Sequence, residues 1–258
     1  MLVSPEIPYI TVFGFNIFYY GIILALAIFV GIVISNRVAI REYFLYGLVP
    51  NIATSVIIGG IIGARLYYCL LNCSMYISNP IEIFALREGG MSIHGAILGG
   101  VIVLLYQAKK HNIEFLKLCD IFAMGMPVAQ AIGRWGNFFN SEAFGLPTTM
   151  PWGLYIRPQY RPERFFNSEY FHPTFLYESV LDILLFIILY KFIFNKYKDN
   201  SGCITAIYLI LYSVIRILVE QIRVDCVKYV YGVPFPLVVS VILIIFASCF
   251  LVLKRIKD

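Results

Sequence analysis

The chain has 258 residues, 60% of them hydrophobic, and a mean hydropathy of +0.81. Only 14% are charged, against about a quarter in a soluble domain, and the formal net charge of +5 comes without an arginine-rich arm. An ordinary soluble enzyme and a nucleic-acid-binding protein are thereby excluded.

In chain order, the opening stretch MLVSPEIPYITVFGFN has no basic n-region and no small-residue cleavage site, so it does not read as a removable signal peptide. Seven apolar segments follow, at approximately 14–35, 48–70, 93–108, 118–135, 173–194, 203–222 and 233–253. A bilayer crossing needs about 20 apolar residues. A backbone in lipid must satisfy its own hydrogen bonds, so the prediction is an all-α integral membrane protein. Residues 136–172, rich in Pro, Arg, Asn and Tyr, interrupt the pattern and predict an ordered extramembrane insert between the fourth and fifth helices. No repeat or low-complexity tract divides the chain, so a single polytopic domain over 1–258 is expected. The six cysteines are scattered. Cys69 and Cys73 lie one turn apart, but no second pair completes a metal or redox pattern, and they read as packing residues.

Basic residues set the orientation. Arg37 and Arg41, then Lys109, Lys110 and Lys117, then Lys196 and Lys198, then Lys254, Arg255 and Lys257 all fall in one set of connections. The alternate set holds Arg87, the insert's Arg157, Arg161 and Arg164, and Arg223 and Lys228. Long loops count less, so the first set is expected in the cytoplasm, with the N-terminus outside and the C-terminus inside.

Ionisable groups inside spans cost about 2.5–3.5 kcal/mol each on insertion scales. Here they are Arg65, Arg134, Arg216, Asp120, Glu178, Asp182 and Glu220. In the expected topology Arg65 lies late in an outward-running helix and Arg134 ends another. His94 opens an inward-running helix. So does His172, followed by Pro173 at a predicted first helical position, with Glu178 two turns further in. Tyr20 is two turns into the first span from outside. All fall in the outer half; Asp120, near the cytoplasmic end, reads as structural. Arg216 and Glu220 are spaced i, i+4 and share a face with Tyr212, which suits an ion pair as well as a site. Glu178 and Asp182 also share a face and could be polar glue between helices. His111, in a basic loop, reads as solvated. The convergence of arginines and histidines favours a site. A guanidinium fork suits phosphate oxygens, and a phosphate at that depth belongs to a phospholipid headgroup. Glu220 can orient Arg216, Asn137 and Asn140 supply short donors, and a neutral His94 could accept a proton.

The segments GGMSIHGAILGG, GRWGNFFNSEAFG, HPTFLYES and Arg216-x-x-x-Glu220, with IGARLYY and Tyr20-Gly21, resemble the prolipoprotein diacylglyceryl transferase family in that order, over about residues 14–225. The resemblance implies a seven-helix bacterial enzyme of the plasma (inner) membrane, with its active site facing the outer leaflet. It implies transfer of an sn-1,2-diacylglyceryl group from phosphatidylglycerol to the lipobox cysteine thiol of a prolipoprotein signal peptide, with release of sn-glycerol 1-phosphate. Carried over by position, His94 matches the histidine considered essential, and Arg134 and Arg216 match arginines contacting the lipid phosphate. With Glu220 these form the expected catalytic set. Tyr20, Arg65, Asn137, Asn140, Glu142, Gly145, His172, Tyr177, Glu178 and Tyr212 form the expected substrate-binding set. Two positions depart from the pattern. Phe18-Tyr19-Tyr20-Gly21 stands where many relatives have His or Arg before Trp-Tyr-Gly, and Ser141 stands where some have Gly.

The implied reaction is an alkyl transfer. The substrate thiol must lose its proton, and the charge growing on phosphate must meet fixed cations. Arg134 and Arg216 suit the second task. His94 suits the first, or alternatively holds the headgroup or a neighbouring loop. No cofactor, metal ligand or nucleic-acid partner is expected. The rival readings are a transporter, which predicts polar residues through the whole membrane depth, and a non-catalytic phospholipid-binding membrane protein.

Overall fold

The structure, a computed structural model, describes residues 2–43, 45–85, 89–225, 229–230 and 232–255. Arg87, Lys228 and Lys257, which entered the charge count, lie outside the described residues. The N-terminal stretch alternates about a Phe13-Gly14 pair. It forms β1 (Leu2–Val3) and an antiparallel hairpin of β2 (Tyr9–Val12) and β3 (Phe15–Phe18), in register from Tyr9↔Phe18 to Val12↔Phe15. Phe13 (φ 48°) and Gly14 (φ 81°) make the two-residue turn. Two left-handed residues give the twist that matches paired strands.

The helix α1 (Tyr19–Tyr43) follows without a break. The first span therefore begins at Tyr19 rather than at residue 14, and Tyr20 sits in its first turn rather than two turns in. A period-two pattern is hard to see where nearly every residue is apolar. The chain continues through α2 (Leu48–Leu71), α3 (Cys73–Ser78), a 3₁₀ turn over Pro80–Phe84, α4 (Ile93–Lys110) and α5 (Phe115–Phe139). α5 outruns the predicted 118–135, so Arg134 lies inside the helix, Asn137 is helical, and the insert starts after Phe139.

The insert carries β4 (Leu154–Tyr155), β5 (Tyr170–Phe171) and 3₁₀ turns at Pro158–Tyr160 and Glu163–Phe165, and is ordered as expected. α6 (Thr174–Ile188) runs through a π turn at Leu189–Ile193 into α7 (Phe194–Tyr197). Pro173 is its N-cap rather than its first helical residue. Then come α8 (Cys203–Glu220), β6 (Tyr229–Val230), β7 (Val233–Pro234) and α9 (Phe235–Arg255). Among the described residues, five helices, α1, α2, α5, α8 and α9, are long and apolar enough to cross a membrane, where the sequence predicted seven spans. α4 ends in Lys109-Lys110, and the π turn splits the α6–α7 run.

Contacts divide the chain into two units, Ser35–Ile121 and Met1–Ile34 with Phe122–Asp258. In the first, α2 and α4 touch along glycines. A Cβ at Gly63 would overlap the Gly95 carbonyl, and one at Gly99 would overlap that of Gly59. Small residues at this spacing let backbones meet in lipid, where association relies on close packing rather than hydrophobic exclusion. In the second unit, β1 pairs in parallel with β4 and β4 antiparallel with β5. Ala143, Phe144, Leu154, Ile156, Phe171 and Phe175 are buried beneath this small sheet. Each large side chain there contributes about 1.5–3 kcal/mol by leaving water.

Candidate active site

Three helices of the larger unit each turn polar side chains toward one buried point. Arg134 on α5 donates from Nη2 to Glu178 Oε1 of α6 at 2.5 Å and to the Tyr212 hydroxyl of α8 at 3.1 Å. Arg216, one turn after Tyr212, donates from Nη1 to Glu178 Oε1 and Oε2 at 2.9 and 3.0 Å, and from Nη2 to Glu220 Oε2 at 3.0 Å. Glu178 is fully buried. One carboxylate thus holds two guanidiniums side by side, and Glu220 fixes the second from its own helix. The i, i+4 pair expected at Arg216 and Glu220 is present. Two arginines and two glutamates balance in charge, while the Nε of Arg134 is buried without a partner. A buried N–H left unmade costs about 1–3 kcal/mol, and a phosphate oxygen is an acceptor that would satisfy it. Ser179 Oγ donates to the Ala131 carbonyl at 2.8 Å and pins α6 to α5. The Tyr208 hydroxyl donates to Gln130 Oε1 at 2.9 Å, and its ring stacks on Tyr212.

The signature segment leaves α5 just beyond this cluster. Asn137 and Asn140 donate to the two oxygens of Glu142 at 3.3 and 3.5 Å. Ser141 (φ 55°) and Ala143 (φ 53°) both adopt the left-handed conformation. That conformation is one glycine takes without penalty, and here two non-glycine residues hold it. The Ser141 hydroxyl pairs with that of Ser4 at 2.8 Å. Gly145 lies where the segment meets the end of α8. Its N–H donates to the His172 carbonyl at 2.8 Å, and a Cβ there would come within 2.7 Å of the Ile222 carbonyl. Gly136 faces the Tyr20 ring, and a Cβ would approach it to 2.8 Å. His172 Nδ1 and the Tyr177 hydroxyl are 2.9 Å apart, and Trp152 Nε1 donates to the same hydroxyl at 2.9 Å.

Two expected residues belong to the unit Ser35–Ile121. Arg65, expected in the substrate-binding set, donates to the carbonyls of Ile83, Gly89 and Gly90 at 2.9, 2.6 and 3.0 Å, and to those of Glu82 and Ala85. Its donors are engaged by backbone, so the geometry gives it the task of holding the carbonyls of Glu82, Ile83, Ala85, Gly89 and Gly90. His94 is the second residue of α4, with its ring 6.3 Å from that of Tyr67. The sequence reading missed Trp152, Gln130 and Asp225. Asp225 accepts from the Ala143 N–H at 3.2 Å and from both forks of Arg223. Burial alone would lower the Arg223 pKa, but hydrogen bonds and the charge of Asp225 more than compensate and raise it. Arg223-x-Asp225 after a span end was the available signal. Among the described residues, no group of three His, Cys, Asp or Glu is placed to hold a metal ion.

Apolar helices that bury paired arginines beside an unsatisfied guanidinium N–H define a polytopic membrane protein with a polar centre suited to an anion. Residues 8–253 match the family model for prolipoprotein diacylglyceryl transferase, and the chain belongs to that family. It is similar to proteins named phosphatidylglycerol–prolipoprotein diacylglyceryl transferase from several bacteria. The Synechococcus elongatus protein is 42% identical over 86% of this chain and 78% of its own length. That of Nostoc sp. is 40% identical over 87% and 81%. That of Thermotoga maritima is 36% identical over 95% and 84%.

Proposed function

We propose that this chain transfers the sn-1,2-diacylglyceryl group of phosphatidylglycerol to the lipobox cysteine of prolipoproteins, the first step of lipoprotein maturation. The observation that carries the reading is the pair of guanidiniums, Arg134 and Arg216, gripped by Glu178. Family membership supports it. The cysteine sulfur forms a bond to the glycerol carbon next to the phosphate. The carbon–oxygen bond breaks with its electron pair going to oxygen, and sn-glycerol 1-phosphate leaves with one more negative charge. Arg134 and Arg216 meet that charge from fixed positions, which costs no reorganisation as it develops. His94 takes the thiol proton. Tyr20, Asn137, Asn140, Glu142, Gly145, His172, Tyr177 and Tyr212 shape the binding surface around the headgroup and peptide, and Glu178 and Glu220 orient the arginines.

The protein works as one polytopic domain of seven crossings in the bacterial plasma membrane, with this site toward the outer leaflet. Chain parity supports the count. Leu2–Val3 pair with Leu154–Tyr155, so both lie on one side. Crossings by α1, α2 and α5 alone would part them, which supports a fourth crossing by α4. The Leu146 N–H donates to the Ile222 carbonyl. With α8 crossing between those residues, the run from Thr174 to Tyr197 crosses too. Purified protein in nanodiscs with phosphatidylglycerol and a lipobox peptide should add a diacylglyceryl mass to the peptide, and none when the peptide cysteine is changed to serine. No mass shift and no glycerol phosphate from folded protein would leave a lipid-binding protein instead.

A further inference from the structure

Among the described residues, the β2–β3 hairpin has no partner on either face. Every residue from Thr11 to Phe18 is exposed, and Phe13 at the tip is 97% exposed. Strand side chains alternate between faces, and the register sorts these into two sets. One face carries Ile10, Val12, Phe15 and Ile17, all apolar. The other carries the Tyr9–Phe18 ring pair, at 5.5 Å, and the Thr11 hydroxyl bonded to Asn16 Oδ1 at 2.8 Å. No charged residue occurs between Ile7 and Phe18. An isolated two-stranded hairpin is marginal in water, and an exposed apolar patch of this kind marks an interaction surface.

We propose that this hairpin lies in the membrane–water interface, with the Ile10–Val12–Phe15–Ile17 face against lipid and the Thr11–Asn16 face toward water. Continuity names the occupant. The Tyr19 N–H donates to the Pro8 carbonyl at 3.0 Å, so the hairpin base is bonded to the first turn of a membrane helix. On that helix the exposed Ile22, Leu24 and Leu26 continue the apolar surface. Full immersion is forbidden, because the outer edges of two strands leave N–H and C=O groups that hydrocarbon cannot satisfy. An in-plane element with one apolar face is the arrangement that keeps both halves solvated. The hairpin then holds Tyr20, and through its ring Gly136, at headgroup level.

Neighbouring positions on opposite faces make the test. Ile17→Trp and Asn16→Trp are prepared in the full chain, in nanodiscs of phosphatidylglycerol and phosphatidylcholine. Each emission is read as the difference from the parent, which contains Trp135 and Trp152. The Ile17→Trp increment is expected to be blue-shifted, quenched by phosphatidylcholine brominated high on its acyl chains, and shielded from iodide. The Asn16→Trp increment is expected to be quenched by iodide and spared by the brominated lipid. Equal iodide quenching at both positions overturns the proposal. So does an Ile17→Trp increment that becomes shielded only when a lipobox signal peptide is added, because the face would then be a peptide-docking surface. No turnover is needed, so the result does not depend on the transferase reading.

Discussion

Both oxygens of Glu178 are taken by guanidiniums, and its carbon skeleton has no exposure. Removing its charge leaves Arg134, among the described residues, without an ion-pair partner and Arg216 with Glu220 alone. Glu178→Gln is expected to destabilise the protein by about 3–5 kcal/mol, the usual result of breaking a buried pair from one side, read as a lower thermal midpoint in detergent. Arg134→Lys keeps the charge and loses the fork. One ammonium cannot serve Glu178, Tyr212 and a phosphate in a fixed plane. Its kcat/KM in the peptide assay should fall roughly 10²- to 10³-fold with little change in the midpoint. Full activity in this variant would refute the arginine assignment. At this scale the sequence exposed residue types and spacing well. Arg216 with Glu220 was readable because a single helix relates them. The backbone partners of Arg65 were not readable, because carbonyls carry no sequence signal.

An element is judged by what it touches. The α2–α4 crossing leaves no room at Gly63 or Gly99, whereas a Cβ at Gly100 meets nothing nearer than 3.6 Å. Gly99→Leu should therefore cost about 1–3 kcal/mol or more through overpacking. Gly100→Ala should be neutral or gain up to about 1 kcal/mol from helix propensity. Thermal unfolding of the two variants side by side checks both. Gly145→Ala tests the joint between the signature segment and α8. Its Cβ would press on the Ile222 carbonyl and the Thr174 methyl, so the segment must shift. Activity should drop before global stability does, measured on the same preparation. Helix positions were largely legible because long apolar runs are the strongest membrane signal. The hairpin was not, since composition hid its alternation. The π turn after Ile188 was not either, because no residue type marks it.

For the whole molecule, the proposed orientation rests on lysines, and strand pairing bears only on the number of crossings. A cysteine at Thr149 should react with an impermeant thiol reagent on intact cells, and one at Asn112 only after permeabilisation. The reverse pattern would invert the protein. Charge carries the topology proposal; the link from the N-terminus to the insert was not legible, because a two-residue parallel pairing is set by distant partners. That pairing also orders the molecule in time. Leu2–Val3 are made first, yet their partners Leu154–Tyr155 are synthesised about 150 residues later, roughly 10–30 s at bacterial or slower rates. Through that interval Ser4 cannot meet Ser141 and Arg157 cannot reach the Ser4 carbonyl. The amino end therefore stays open until the insert is made, and its protection from an external protease in a pulse-chase experiment should lag behind insertion of the first helices.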